Sequence, residues 1–444
     1  MDDTSALYAS VFANCPATWR VIPFQDAVEF REGPGILAKD FRTNGVPLLR
    51  LRNIERPFVD LEGCNFLDPD MVRAKWDHFR IEPGDLLVST SGTLGRVSIA
   101  TEPSQGSIPY TGIIRMRPAG PHVDAGFIRY FLTSPLFQLQ AEASAAGSVL
   151  KHFGPTHLRE MSFPVPPVEE QCAIAAVLGA LDDKIEQNRS TARVLERLAR
   201  ATFRAWFVDF EPVKAKAEGA TSFPSVPQEV FDALPMRLVD SEIGQVPEGW
   251  EVKAIASIAT FLNGLALQKH PPRGDGHDLR VIKIAQLRKG STEGADWANC
   301  EVPEKYVVHD RELIFSWSGT LEAKFWFGGA GALNQHLFKV TSKQFPSWFC
   351  LHWIRQHLPW FRSIAASKAT TMGHIKRGHL QEAQVVLPPA LVLKAADGVF
   401  SATYDLHAAL MIESRQLGAM RDLLLPSLLS GKVRVSTDRE HNDG

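Results

Sequence analysis

A nine-residue stretch recurs, with substitutions, in the two halves of this chain. Leu86-Leu87-Val88-Ser89-Thr90-Ser91-Gly92-Thr93-Leu94 returns as Leu313-Ile314-Phe315-Ser316-Trp317-Ser318-Gly319-Thr320-Leu321. At one common offset, His157-Leu158-Arg159-Glu160 returns as His379-Leu380-Gln381-Glu382, and Pro166-Pro167 as Pro388-Pro389. Solenoid repeats run about 20–50 residues, and this period is far longer. The duplication therefore calls for two similar domains in a pseudo-symmetric protein that addresses two similar surfaces.

A length of 444 residues suits about two to four domains. No run approaches the roughly 20 apolar residues that cross a bilayer. The opening Met1-Asp2-Asp3-Thr4-Ser5 lacks the basic region and apolar core of a signal peptide, so a cytoplasmic protein is expected. Cys15, Cys64, Cys172, Cys300 and Cys350 form no close pair and read as reduced thiols, not as a disulfide frame or zinc site. The net charge of −2 is below the basic balance of a compact nucleic-acid binder. Contact with an anionic polymer must then rest on local positive clusters.

Short β-branched and aromatic runs broken by Gly and Pro fill residues 1–166 and 242–388, which read as two α+β domains. In Pro47-Leu48-Leu49-Arg50-Leu51-Arg52 and Arg280-Val281-Ile282-Lys283-Ile284, apolar and basic residues alternate, predicting half-buried strands with the cations facing away. The domains open alike, with Cys15-Pro16-Ala17-Thr18-Trp19-Arg20-Val21 resembling Val246-Pro247-Glu248-Gly249-Trp250-Glu251-Val252. After each Pro-Pro the pattern turns helical, over 167–210 and 389–432. In the first helix Ile174, Leu178, Leu181, Ile185, Asn188, Ala192, Leu195, Ala199, Thr202 and Trp206 step by four and three, the seam of helix packed along helix. Asn188 is either a register-setting polar residue in that seam or lies at a fraying edge. Phe400, Leu410, Leu417, Leu424 and Leu428 fill the second seam, diluted by Thr403, His407, Ser414 and Arg421 and ended by Pro426 and Gly431. About 1.5 Å per residue makes each helix a rod of roughly 60 Å. Two such helices can satisfy each other antiparallel, as a coiled-coil-like spacer with a domain at each end. The Pro-, Ala- and charge-rich stretch 211–241 reads as a linker, and 433–444 as a polar tail whose last residues are disordered.

Catalytic signatures are sparse in this chain. No Gly-x-x-x-x-Gly-Lys-Ser/Thr cradles a phosphate. Phe327-Gly328-Gly329-Ala330-Gly331 has the look of a methyl-donor loop, but no Asn/Asp-Pro-Pro-Tyr/Phe segment accompanies it. Asp310 with Glu322-Ala323-Lys324 has nuclease-like spacing, yet Gly95-Arg96-Val97 in the first unit offers no carboxylate. His352 and His357 lack the partners of a zinc motif, and no Gly-x-Ser-x-Gly elbow is present. Scattered histidines and turn glycines are the plainer readings.

Binding remains. Ser89-Thr90-Ser91-Gly92-Thr93-Leu94-Gly95-Arg96 and Ser316-Trp317-Ser318-Gly319-Thr320 read as glycine- and hydroxyl-rich loops after buried strands, able to offer N–H and hydroxyl donors to phosphate, with Arg96 adding charge. Around them lie Arg50, Arg52, Arg56, Arg73, Lys75, Arg80, Arg115 and Arg117, and in the second domain Lys269, His270, Arg273, Lys283, Arg288, Lys289 and Lys324. Later basic loops carry Lys151 and His152, and His374, Lys376 and Arg377. Some of these charges are ordinary solvated faces; recurrence in both halves is what raises the loops above any tight turn.

Together these segments resemble the specificity subunit of type I restriction–modification systems, over almost the whole chain. The resemblance rests on the duplicated strand-to-loop segment and on Phe163-Pro164-Val165-Pro166-Pro167-Val168-Glu169-Glu170-Gln171 leading into the first helix. It rests also on Phe203-Arg204-Ala205-Trp206-Phe207-Val208-Asp209-Phe210 and on Arg421-Asp422-Leu423-Leu424-Leu425-Pro426-Ser427-Leu428-Leu429-Ser430-Gly431-Lys432. One departure is Pro388-Pro389-Ala390-Leu391-Val392, which lacks the Glu-Glu-Gln of the first junction. The resemblance implies a non-catalytic chain whose two target-recognition domains each read one half of a split, asymmetric DNA sequence. The helices would set the gap and dock two modification subunits. S-adenosylmethionine would belong to those partners, and ATP and magnesium to restriction and translocase subunits. The competing classes are a self-contained methyltransferase or nuclease, and a scaffold that binds only proteins.

Overall fold

The computed structural model describes residues 12, 15–90, 95–144, 154–367 and 373–435. The chain divides into two compact units, Met1–Lys184 with Leu417–Gly444, and Ile185–Gln416. In the first, strand Arg20–Pro23 pairs antiparallel with Ser162–Val165, closing the first strand on the last. Between them lies a four-stranded antiparallel sheet in the order Val28–Glu32, Ile113–Pro118, Leu86–Ser89, Val97–Ile99. A second four-stranded sheet runs Phe41–Arg42, Asn65–Leu67, Val46–Leu49, Ile108–Pro109, the last two strands parallel. Phe24, Phe127, Phe131 and Phe163 interlock edge to face, with Phe24 and Phe131 stacked, in the core under the first of these sheets.

The second unit repeats this plan. Glu251–Ala254 closes on Gln384–Leu387, and one sheet runs Thr260–Asn263, Leu337–Thr341, Leu313–Ser316, Ala323–Phe325. The other runs Trp297–Ala298, Leu279–Ile282, Gly331–Leu333, Val307–Val308, with the middle pair parallel. Both units need a glycine at one tight crossing. A Cβ on Gly33 would stand 2.2 Å from the Pro109 carbonyl oxygen, and one on Gly264 2.2 Å from that of Asn334. Two α+β units built on one frame, each with long helices, are thus present.

The strands marked by alternation are shorter than expected. They stop at Leu49 and Ile282, where Leu48–Leu49 and Val281–Ile282 are consecutive buried pairs, because each central strand is covered on both faces. The next residue, Arg50 or Lys283, caps a short helical segment: its N–H donates to Asn53 Oδ1 (2.9 Å) or Gln286 Oε1 (3.3 Å).

The long helices run Val168–Phe207 and Ala390–Leu429, forty residues each, and both begin directly after their Pro-Pro pair. Each unit pairs its own portions of them antiparallel. In the first unit Asp182 accepts from Arg421 (2.7 Å), and Ile174 and Leu178 share a core with Leu425, Leu428 and Leu429. In the second, Asn188 donates to Glu413 (2.8 Å), and Phe203 meets Phe400 at 6.3 Å. Asn188 is buried in the seam, not at an edge. Ile174, Leu178, Ile185, Ala192, Ala199 and Trp206 are buried, and Leu181, Leu195 and Thr202 half-buried.

The second seam differs from its expected residues. Phe400 and Leu428 are buried, while Leu410, Leu417 and Leu424 are only half-buried. His407 and Ser414 are buried, so these polar residues belong to the seam and do not dilute it. Ser414 manages this by donating to the Leu410 carbonyl (2.7 Å), whereas His407 packs on Phe327 at 5.3 Å with its buried Nδ1 left without a partner among the described residues. Pro426 lies inside the helix, which continues to Leu429 before Gly431 turns with φ +72°.

The stretch 211–241 is not an open linker. It forms helices Glu211–Ala217 and Gln228–Ala233 and a strand, Leu238–Ser241, paired with Gly244–Pro247. Its Val213, Val230, Phe231 and Leu234 enter the second unit's core, so its apolar residues outweigh the loop-like composition. Of the tail, Arg434 ion-pairs with Glu170, while 436–444 lie outside the described residues. No helix of the described residues is long and apolar enough to cross a membrane.

Candidate nucleic-acid interface

The repeated serine is a latch. Strand Leu313–Ser316 is buried at all four positions. Ser316 Oγ donates to the Thr320 carbonyl (2.5 Å) and accepts from the Glu322 N–H (2.8 Å), closing the loop between them. In the first unit Ser89 exchanges backbone hydrogen bonds with Arg96 (3.0 Å) and Gly95 (3.0 Å), and its hydroxyl accepts from the Arg96 N–H (3.1 Å). Both serines are buried, so the expected phosphate contact from Ser89 and Ser316 is replaced by satisfaction of the turn's own backbone. Ser91, Gly92 and Thr93 lie outside the described residues, as do Lys151 and His152.

The repeated histidine is likewise structural. His157 Nδ1 accepts from the Gly154 N–H and His379 Nδ1 from the Lys376 N–H, both at 3.1 Å, at the start of helices Pro155–Glu160 and Arg377–Glu382. Each ring satisfies an N–H at a helix start.

In the second unit, two loops that the sequence marked separately form one tip. The Gly319 N–H donates to the Gly373 carbonyl (2.8 Å), and the Ile375 N–H to that of Trp317 (3.0 Å). Gly319 takes φ +61°, which glycine adopts without strain. The tip exposes Gly319, Thr320, Lys376 and Arg377, with His374 half-exposed and edge-on to Trp317 at 6.2 Å. Ser318, expected as a donor to DNA, is buried, its hydroxyl 3.0 Å from His336 Nδ1. Trp317 donates from Nε1 to Asn263 Oδ1 (2.9 Å). Lys376 and Arg377 have no carboxylate partner among the described residues, and the Arg377 guanidinium lies 6.0 Å from the Phe338 ring.

Many of the other cations are committed within the chain. Arg56, Arg73, Arg80 and Arg115 pair with Asp60, Asp70, Asp77 and Glu29, and Arg117 with Asp85. Lys283, Lys289 and Arg273 pair with Asp296, Glu293 and Glu301. Arg96 stands 3.7 Å from Glu55. Arg52 donates to the Gly63 carbonyl. Arg50 is exposed and spreads its guanidinium within 6 Å of the Phe41 and Tyr110 rings, with no carboxylate partner among the described residues. A carboxylate-paired surface cation must give up that partner before meeting a phosphate, so Arg50, Lys376 and Arg377 are better placed than the paired cations, as are the exposed Lys75, Lys269 and Arg288, which also have no carboxylate partner among the described residues.

Arg288 and Lys324 come together elsewhere. Lys324 pairs with Glu322 (2.7 Å) and donates to the Arg288 carbonyl (3.3 Å). They line a cleft of about 480 Å³ with Arg189, Arg193, Glu196 and Arg355. Burial alone would raise the Glu196 carboxyl, but the Arg355 guanidinium holds it below its ordinary value. Beside it burial lowers His407, against the pull of Glu196. Further in, burial drives His352 well below its ordinary value; it bonds the Tyr404 hydroxyl at 2.9 Å and stacks on Phe203.

Asn263, His336 and the Phe41–Tyr110 pair escaped the sequence reading. Nothing local marks them. His336 reaches Ser318 only because strand Leu337–Thr341 pairs with Leu313–Ser316. Among the described residues, no group of three or more His, Cys, Asp or Glu could hold a metal ion.

Comparison with known proteins bears on this geometry. The sequence profile of the type I restriction modification DNA specificity domain matches residues 16–197. The chain is similar to the type I restriction enzyme MjaIX specificity subunit of Methanocaldococcus jannaschii, 24% identical over 442 residues, covering 95% of this chain and 94% of that one. It is also similar to the HindI specificity subunit of Haemophilus influenzae, 23% identical over 62% of this chain and 69% of the other. Among solved structures, the S subunit of a type I restriction–modification system from M. genitalium shares the fold, with a TM-score of 0.53 and 14% identity over 94% of this chain and 96% of that one.

Proposed function

We propose that the chain is a specificity subunit of a type I restriction–modification system, the sequence-reading, non-catalytic member of a DNA-modifying complex. Residues 1–166 and 242–388 each read one half of a bipartite, asymmetric target. The observation that carries this reading is one backbone frame built twice, with unlike side chains at its exposed end. Exposed cations without carboxylate partners supply salt-dependent phosphate contacts, and neighbouring side chains read base edges.

The paired long helices set the length of the unread gap and dock two methyltransferase subunits. Large apolar side chains stand exposed on them, among them Val194, Leu198, Leu406, Met420 and Leu423, as a partner-binding face requires. S-adenosylmethionine is assigned to those partners, and ATP and magnesium to restriction and translocase subunits.

Mapping methylated adenines in a host genome with and without this chain tests the reading. One bipartite motif should vanish with the chain; an unchanged methylation map would sink the proposal. Methyl transfer or DNA cleavage by the isolated chain would favour an enzyme instead, and failure to shift duplex DNA even with methyltransferase partners would favour a protein scaffold. Inserting one helical turn into each of the long helices should widen the gap and leave both half-sites intact.

A further inference from the structure

The two units share backbone hydrogen bonds at their tips, which makes their side chains comparable position by position. The Thr90 N–H donates to the Gly112 carbonyl (2.9 Å), and the Trp317 N–H to the His336 carbonyl (3.4 Å). The Gly33 N–H donates to the Ile113 carbonyl (2.9 Å), and the Gly264 N–H to that of Leu337 (3.0 Å). Tyr110 and Asn334 donate alike to Leu49 and Ile282, at 2.9 and 3.1 Å. Position 336 is therefore the counterpart of position 112, where the first unit carries glycine. The frame closes there with no side chain at all, so the His336 imidazole is not required for it.

That imidazole is nonetheless held in place. The Ser318 hydroxyl lies 3.0 Å from Nδ1, which is its one acceptor among the described residues, so the hydroxyl donates and Nδ1 accepts. The neutral ring then carries its proton on Nε2. The His336 N–H donates to Asn334 Oδ1 (3.2 Å), and the Trp317 ring lies 5.9 Å away. Nε2 has no partner among the described residues, and the residue is half-exposed, with Trp317 lying between its ring and that of His374 in the tip.

We infer that His336 is a specificity-determining residue, presenting its Nε2–H as a donor to an acceptor on a base edge in the half-site read by the second unit. The inference rests on the DNA-reading function proposed above. The matching acceptors in the major groove are purine N7, guanine O6 and thymine O4. Ser318 is a positioning residue, fixing the tautomer and the ring plane. Lys376 and Arg377 supply phosphate contacts that are indifferent to sequence.

The test is adenine-methylation mapping in cells carrying the chain with its methyltransferase partners, as wild type and as His336→Ala, His336→Gly, Ser318→Ala, Ser318→Thr and the double Lys376→Ala/Arg377→Ala. Both His336 variants should relax discrimination about tenfold or more at one base pair of one half-site, leaving the other half-site and the gap unchanged. Ser318→Ala should relax the same position less, and Ser318→Thr restore it. The Lys376/Arg377 double variant should lower methylation evenly across sites and flatten its salt dependence. The inference is overturned if both His336 variants keep the wild-type site set, or if both lose all methylation while the complex still assembles. A wild-type chain that directs no bipartite methylation defeats the underlying function instead, and the two failures are told apart by that control.

Discussion

The two units place a tryptophan at the same turn and treat it differently. In the first, the Trp19 N–H donates to Pro16 (2.9 Å) and its indole Nε1–H to Glu170 (3.0 Å), which also pairs with Arg434. In the second, the Trp250 N–H donates to Pro247 (3.0 Å) in the same way. There the position of Glu170 is taken by Val392, and the buried Trp250 Nε1 has no partner among the described residues. The missing Glu-Glu-Gln thus leaves the helix start untouched and removes a polar latch. The second unit compensates with apolar mass: Trp250 packs on Phe207 at 6.2 Å and Phe210 at 5.8 Å, inside a core of Phe203, Trp348, Phe349 and Phe400. One frame can therefore be closed by a charged latch or by aromatic packing.

The largest expected effect is on the aromatic side of this contrast. Phe203 lies within 6 Å of the rings of Phe207, Phe349, His352 and Trp353. Phe203→Ala should cost about 3–5 kcal/mol and raise hydrogen exchange across 185–416 while strands of the first unit stay protected. Equal loss of protection in both units would erase the distinction between separately cored units.

A smaller effect sharpens the latch. Trp19→Phe and Trp250→Phe remove similar ring volume, but only the first strips a donor from buried Glu170. Trp19→Phe should be the more destabilising by about 1–3 kcal/mol in urea unfolding. Equal costs would mean that the Glu170 bond contributes nothing.

The smallest expected effect, taken one group at a time, is with pH. Burial lowers His352, His357 and His407, all in the second unit. A depressed folded value means that the unfolded chain binds the proton first as pH falls. This stability is therefore full above about pH 6.5 and lost below it, at up to about 1.4 kcal/mol per pH unit for each such group. Around His352 the Tyr404 hydroxyl, Arg355 and Arg200 disfavour or fail to offset a positive ring. Acidification from neutral to about pH 5.5 should open amides of 185–416 before those of 20–165, and His352→Gln should reduce the slope. A slope shared equally by the two units would refute the assignment.

Much of this was legible in the primary structure because it is local. Pro-Pro ends a strand and permits a helix, and the four-and-three spacing from Ile174 to Trp206 appears as the buried and half-buried positions of that helix. The second seam was legible only in part, since burial of His407 and Ser414 depends on Phe327 and the Leu410 carbonyl. Residues 211–241 misled for the reverse reason: Pro and Ala suggest a loop, while Val213 and Phe231 show their weight only once a core exists to receive them. At the interface, composition could nominate cations but could not tell Lys376, without a carboxylate partner among the described residues, from Lys283, held by Asp296.

By itself the sequence determined that two alike domains and two long helices must be present, because duplication and helical periodicity are properties of neighbours along the chain. Only the tertiary structure decided which repeated residues serve the fold and which are free to read. Ser316 and His379 turned out to hold backbone groups, while His336, unremarkable in sequence, was brought to Ser318 by strand pairing. A hydrogen bond across a sheet depends on register between distant segments, and no local pattern carries that information.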